Sequence, residues 1–556
     1  MIVPMKHVTV LCVATEGTKT LETLRELGCV HLDLASAAST EVASAKEDLA
    51  DAERAVRILA KAAEAVAGVL PQKDAFADVA ETDLVASVLK ADETRKALSD
   101  EADKLEATVR TYEPYGDFDP ALAQSLLDRG IDLSSVCTLP QPLPKERLSA
   151  TPHRLEENRA RQLALTADLA SASPRISTIL KAYPGLQDRI DFASAQDLLA
   201  TEGSISYIQG WVPADAEETV RATARTQGWA LLVRDAAAGE NPPTLIRPPK
   251  LFRPVAALFK GLGIAPGYTE ADVSVPFMCY FSLFFAMLVG DGAYGAIFLA
   301  GTLAMRKKLA RSWFILLTVF SSATVLWGLL SNTWFGAGIP CCANWPTVQW
   351  LADPSYNNMM LLCFTIGASH LMLARIWNGI CKAPDTTCIA EFGWAGVLLL
   401  MYLVTNSIVG IFNGVPTWGL VVGGVSIVSI FLFTVKPSEL KTRGAELGML
   451  PLNIMSALGD IISYVRLFAV GLASVKVAEN FNSMATGLVS SEHAVWVNVL
   501  MAVAMVAILV IGHGLNLAMA ALSILVHAVR LNTLEFSNHK GVSWSGYAFR
   551  AFEKNK

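Results

Sequence analysis

Two arginines sit where charge is costly. Arg466 lies in SALGDIISYVRLFAVGLASV and Arg530 in AMAALSILVHAVRLNTLEF, stretches otherwise apolar enough for a bilayer interior. A guanidinium keeps its proton in a protein, and a charge at the centre of a spanning helix costs at least ~3 kcal/mol. Such a residue persists where something opposite needs a permanent positive charge. Ser463 lies three residues before Arg466 on the same face. Asp460 is six residues before it, about 120° around an α-helix, and is a poor partner. Arg466 is therefore expected to seek a carboxylate on something else; the plainer reading is a bridge to another span or to backbone carbonyls.

Asn516, Ser523, His527 and Arg530 fall within about 60° of one face at 3.6 residues per turn, among Leu, Ala, Val, Ile and Met. A polar stripe on an apolar helix fits a protonatable or hydrated path, and equally interhelical hydrogen bonding in a bundle. His513 lies off that face and reads as a packing histidine, as does His370. Glu535 ends the helix, where a solvated carboxylate and a channel-lining one fit equally. Lys476 and Glu479 read as a local ion pair. Asp291 suits a turn-former, a half-channel group, or both.

The elements that hold these residues divide the chain. A net charge of −6, 17% charged residues and a mean hydropathy of +0.40 are averages over two unlike halves. Residues 1–255 are charge-rich and Ala-rich, with no apolar run long enough to span. Residues 256–556 carry apolar blocks at roughly 276–305, 312–338, 358–380, 389–412, 416–434, 450–485 and 493–535. A spanning helix needs roughly 20 apolar residues. Lys250, Arg253 and Lys260 precede the first block, and Arg306, Lys307, Lys308 and Arg311 follow it, so both its ends read as the positive, inner side. Its middle, VGDGAYG, can break a helix. The first block is thus two short spans or one re-entrant pair. The 339–357 segment, with Asp353 alone, falls outside. Arg375 and Lys382, then Lys436, Lys441 and Arg443, and finally Lys540, Arg550, Lys554 and Lys556 fall inside. About eight spans with both termini cytoplasmic fit best. The last two blocks, at ~35 residues and 1.5 Å per residue, predict long, tilted helices.

The first half reads as an α+β cytoplasmic domain. MKHVTVLCV predicts a strand, TEGTKTLETLRELG a helix and CVHLDL a second strand. Long Ala/Glu/Lys/Leu/Arg segments at 36–107 and 145–183 predict a long antiparallel coiled-coil hairpin. It joins two small α/β lobes, one at 1–35 with 185–250 and one at 108–150. SISYIQGWVP, ADAEETVRATARTQG and WALLVRD supply strand, helix and strand. The plain function of such an arm is docking. The N-terminus lacks the pattern of a signal peptide.

Several chemistries are excluded. With no Gly-Lys dipeptide there is no phosphate-binding GxxxxGK[ST] loop, and no HExxH, GxSxG or paired-carboxylate motif stands out. No catalytic residue, cofactor or metal site is expected. The nine cysteines form no CxxC and read as reduced, small apolar residues. The charge balance gives no reason to expect nucleic acid.

SYVRLFAVGLA (463–473), AENFN (478–482) and HAVRLNTLEF (527–536) resemble the signature helices of the large membrane stator subunit of rotary V-type and A-type ATPases, called subunit I or a. PGYTEADVSVPF, LFFAMLVGDGAYG, WGLLSNTWFG, IAEFGWAGVLL and IQGWVP add to the likeness, which covers essentially the whole length. The resemblance implies a subunit of a prokaryotic ion-translocating ATPase, with no ATP site of its own. It would face a rotor ring of small membrane subunits, each with one mid-membrane carboxylate, in the cell (inner) membrane. Arg466 and Arg530 would pair with that carboxylate and make it release a proton or Na⁺. His527, Ser463, Ser523, Asn516, Asp460, Glu535 and Asp291 would serve two offset half-channels. The arm would bind peripheral-stalk subunits, with a central-stalk subunit nearby. The usual acid two to three turns before the second arginine is absent, and Ser474 stands where some members have histidine. Against this stand a secondary transporter with a regulatory arm, which predicts an internal repeat not evident here, and a receptor or scaffold, which leaves the buried arginines unexplained.

Overall fold

A computed structural model describes residues 2–34, 39–66, 74–113, 120–129, 151–237, 239–351, 354–435, 445–488 and 495–554. The chain forms two compact units. One comprises residues 6–236 with 550–556, the other residues 1–5 with 237–549.

In the first unit, β1 (Met5–Val13) alternates, so that Val8, Val10 and Cys12 face inward. Helix α1 (Gly17–Leu27) buries Leu21 and Leu24 against them and stops at Gly28, whose φ of +59° suits a residue without Cβ. Helices α2 (Thr40–Ala65), α3 (Leu84–Tyr112), α4 (Pro120–Asp128), α5 (Thr151–Ser171) and α6 (Ile176–Asp197) follow. Strands β2 (Ala200–Glu202) and β3 (Ile205–Pro213), α7 (Glu217–Gln227) and β4 (Ala230–Asp235) close the lobe. The sheet order is β2-β3-β1-β4, with β1/β4 and β2/β3 antiparallel. CVHLDL, expected as a strand, contributes one bridge, His31 to Trp211. Gly210 permits it: a Cβ there would lie 2.6 Å from the His31 carbonyl oxygen.

The segment expected as the first limb holds α2 and α3, and that expected as the second holds α5 and the start of α6. Their buried residues share a core, Ala52, Ala55, Leu59 and Ala62 with Leu84, Val88, Leu169 and Ile179. Ser39 Oγ accepts from Val42 N at the start of α2. Arg175 donates to the carbonyls of Phe76 and Val79, fastening the connection to α3. Most of the lobe expected at 108–150 lies outside the described residues, as do Asp353, Lys436, Lys441, Arg443 and Lys556. The C-terminal segment belongs to this unit, with Phe552 N donating to Val30 O and Arg550 pairing with Asp191.

The second unit is helical. After the short α8 (Val255–Leu262) come α9 (Ser274–Val289) and α10 (Gly292–Ala304), bent by 119° at their junction. The predicted break is therefore real. Gly290 takes φ +71°, Asp291 Oδ1 caps α10 by accepting from Ala293 N, and Oδ2 accepts from Gly336 N at 2.9 Å. Then follow α11 (Arg311–Ser331), α12 (Pro346–Leu351), α13 (Asn357–Lys382), α14 (Thr387–Ile408), α15 (Thr417–Phe433) and α16 (Ala445–Gly448). Two long elements end the unit. Helices α17 (Leu450–Ile462) and α18 (Val465–Thr486) run as one 37-residue apolar helix. Helix α19 (Val495–Ser523), two π-helical turns (Ile524–Ala528 and Leu531–Phe536) and α20 (Ser537–Lys540) form another. Among the described residues, five helices are long and apolar enough to cross a bilayer, or six if the bent α9–α10 pair counts as one span.

Candidate functional site

The two arginines meet at one acid. Arg466 sits just past the turn joining α17 to α18, where its N donates to Ser463 O. Its Nε donates to the same carbonyl at 2.9 Å, and Nη2 donates to Glu535 Oε1 at 2.6 Å. Arg530 Nε lies 3.5 Å from that same oxygen. Of the two readings of Arg466, the bridge to another span is present: Glu535 is buried and bridges both guanidiniums.

Backbone winding explains why this pairing is hard to foresee. Residues 530 and 535 are five apart, about 140° around an α-helix. Leu531–Phe536 is instead a π-turn, in which residues five apart stack. That turn carries Glu535 over Arg530 and toward Arg466.

The cluster is nonetheless open and unbalanced. Among the described residues it joins two permanent cations to one carboxylate. Arg530 is 56% exposed. Glu535 Oε2 is buried without a hydrogen-bond partner, as is His527 Nδ1. Ile511, Leu515, Met519, Leu522 and Val526 recur at helical spacing before Arg530 and are all exposed. Only 11% of the most apolar part of this helix is buried, against 50% for α14.

The other expected residues fall elsewhere. Ser463 Oγ donates to Asp460 O. Asp460 turns away from Arg466 and meets His539, with Nε2 and Oδ2 3.0 Å apart. Ser523 and His527 stay half-buried near Arg530. Asn516 is fully buried and belongs to a separate polar cluster. Its Nδ2 donates to Tyr294 Oη and Ser474 O, and its Oδ1 accepts from Ser474 Oγ. Tyr294 Oη lies 2.7 Å from His513 Nδ1, and His513 Nε2 lies 3.2 Å from Asn482 Oδ1. His513 thus ties α10, α18 and α19 together through hydrogen bonds. Asp291, with both oxygens accepting backbone N–H groups, is a turn-former. Lys476 and Glu479 pair at 2.7 Å.

Sequence reasoning missed Tyr294, His539, Arg375 and Glu391. Arg375 Nε donates to His539 Nδ1 at 3.1 Å and Nη1 to Glu391 Oε2 at 3.1 Å, while Lys382 also reaches Glu391. Glu391, a carboxylate in the apolar stretch IAEFGWAGVLL, is the one of these that hydropathy alone could have singled out.

No protein-family model matches the chain. It is 28% identical to the protein named V-type ATP synthase subunit I 1 of Treponema pallidum, over the whole of both chains. It is 33% identical over 386 residues to V-type ATP synthase subunit I of Borreliella burgdorferi, covering 65% of this chain and 62% of that one. To A-type ATP synthase subunit I of Methanocaldococcus jannaschii it is 24% identical, over 63% of this chain and 55% of that protein.

Proposed function

We propose that this chain, a homologue of V-type and A-type ATP synthase subunits I, is the membrane stator of a prokaryotic rotary ATPase, passing ions between itself and a turning ring. The observation that carries the reading is the charge imbalance at Arg466, Arg530 and Glu535. The cluster is one anion short, and its uncompensated cation lies on an exposed apolar helix face. A ring of small subunits, each with one mid-membrane carboxylate, supplies both the missing anion and an apolar surface to cover that face.

The mechanism follows from elementary electrostatics. A carboxylate in hydrocarbon prefers to be neutral, and beside a fixed guanidinium it prefers to ionise. A loaded carboxyl reaching Arg530 and Arg466 therefore loses its H⁺ or Na⁺, and cannot move on into lipid until reloaded. Glu535 holds Arg466 in place between visits. Half-channels opening to opposite sides make each transfer require a step of rotation. One charge crossing 100 mV yields ~2.3 kcal/mol, so several crossings accompany one ATP.

The soluble unit is the stator arm, a coiled helical hairpin that binds peripheral-stalk subunits and stands beside the central stalk. That the N-terminal lobe and the C-terminal segment share one unit supports placing both termini in the cytoplasm of a cell with an inner membrane. It also supports an even number of crossings, eight if α9 and α10 each count as one.

The test is ATP-driven ion uptake by the purified complex in vesicles. Arg466→Gln is expected to abolish uptake, and Arg530→Gln to reduce it strongly, with the complex still assembled. Wild-type uptake by Arg466→Gln would remove the basis of the proposal.

A further inference from the structure

Arginines on α5 and α6 of the first unit pair with acids: Arg154 with Glu101, Arg159 with Glu106, Arg161 with Glu157 and Arg189 with Asp48. One patch on α2 departs from this. Arg54, Arg57 and Lys61 follow one another at spacings of three and four residues, so they share a helix face. Like charges at that spacing destabilise a helix. Among the described residues, neither Arg54 nor Lys61 has an acid partner, and Arg57 reaches Glu53 only at 3.9 Å.

These three cations line a cavity of about 270 Å³, to which α3 adds Arg95 and Lys96. The one acid in the lining, Asp92, is buried and already engaged. Arg95 Nη2 lies 2.6 Å from its Oδ1, and Lys96 Nζ lies 2.7 Å from its Oδ2. Ile58 and Ala62 of α2 and Leu169 of α5 give the cavity an apolar wall. Its size is at the small end of ligand sites. The cations ask for a multiply charged anion, and the wall asks for an apolar surface on the same molecule.

We propose that this cavity binds a nucleoside polyphosphate. The phosphates sit among Arg54, Arg57 and Lys61, where a guanidinium can hold two oxygens of one phosphate. The base lies against Ile58 and Leu169, and an arginine plane can stack on it. A bare phosphate would leave the apolar wall in water, and a hydrocarbon would leave the cations unmatched. Binding alone is proposed, and the bound ligand ties α2, α3 and α5 together. The inference goes beyond the stator reading and does not depend on it.

The experiment is isothermal titration calorimetry of the full chain, purified in detergent away from every nucleotide-hydrolysing subunit. ATP is expected to bind about tenfold more tightly than inorganic triphosphate, because its base covers the apolar wall. Its affinity should fall as salt rises. The double variant Arg54→Gln, Lys61→Gln is expected to weaken ATP binding about tenfold or more. Both side chains are exposed and lose no acid partner, so without ATP this variant should unfold at the wild-type temperature. Should it unfold earlier, Lys61→Gln alone decides by the same loss of affinity. No ATP binding by the wild type, or undiminished binding by the variant, overturns the proposal. Triphosphate binding as tightly as ATP overturns the nucleoside assignment. A glutamate-rich peptide that binds more tightly than ATP overturns it in favour of an acidic protein segment. Ion uptake by Arg466→Gln is read separately, so failure here leaves the stator reading standing.

Discussion

At the scale of the residue, the proposed function rests on a mismatch of charge. Arg466 and Glu535 form a buried pair at 2.6 Å, and breaking a buried pair on one side leaves the other ion desolvated. Arg466→Gln and Glu535→Gln should each destabilise the membrane unit, by about 3–5 kcal/mol for the loss of one partner. The double substitution, which leaves neither member of this buried pair charged, should cost less than the sum by about 1–3 kcal/mol. Thermal unfolding of the four proteins in detergent measures this, and strict additivity would show that the pair is not coupled. The arginines were legible because an apolar stretch makes a charge conspicuous. Their acid was not, since Glu535 is 69 residues from Arg466 and reaches Arg530 only through a π-turn. Still longer separations, 79 and 219 residues, hid His539 from Asp460 and Tyr294 from His513.

At the scale of the element, two backbone irregularities position the site. The π-turns at Ile524–Ala528 and Leu531–Phe536 flank Arg530, and removing one residue from the second would restore α-helical winding and swing Glu535 away. Deleting Thr533 should therefore abolish transport even where the complex assembles; normal uptake would mean that the winding is incidental. The bend between α9 and α10 depends on Asp291, whose oxygens accept from Ala293 N and Gly336 N. Asp291→Ala should lower stability by about 3–6 kcal/mol, from two charge-assisted bonds, as read by thermal unfolding. Asp291→Asn, which keeps one acceptor, should lose less. Glycines around an acid inside an apolar block announced this break in the sequence. The strand expected at CVHLDL is reduced, among the described residues, to the one bridge between His31 and Trp211.

At the scale of the whole molecule, the two units respond to different variables. In the first unit burial holds His31 below its ordinary value of 6.5, favouring the neutral ring. Burial raises Asp92, but Lys96 and Arg95 outweigh it and hold the carboxyl below its ordinary 3.8. Both depressed values give stability present above the unfolded value and lost as pH falls through the folded one. Unfolding of this unit in the full chain should therefore ease below about pH 6.5 and again below about pH 4, and His31→Gln should remove the first step. A flat response down to pH 5 in the wild type would contradict it. In the proposed stator the membrane unit instead answers to a ring covering its last helix, where exposed Leu522 and Val526 lead to Arg530. A photo-crosslinking residue at Leu522 or Val526 in the purified complex tests the central claim directly. The account predicts an adduct with a small membrane subunit of the ring, lost when the ring is removed. Adducts confined to this chain, in a complex that still pumps, would contradict it.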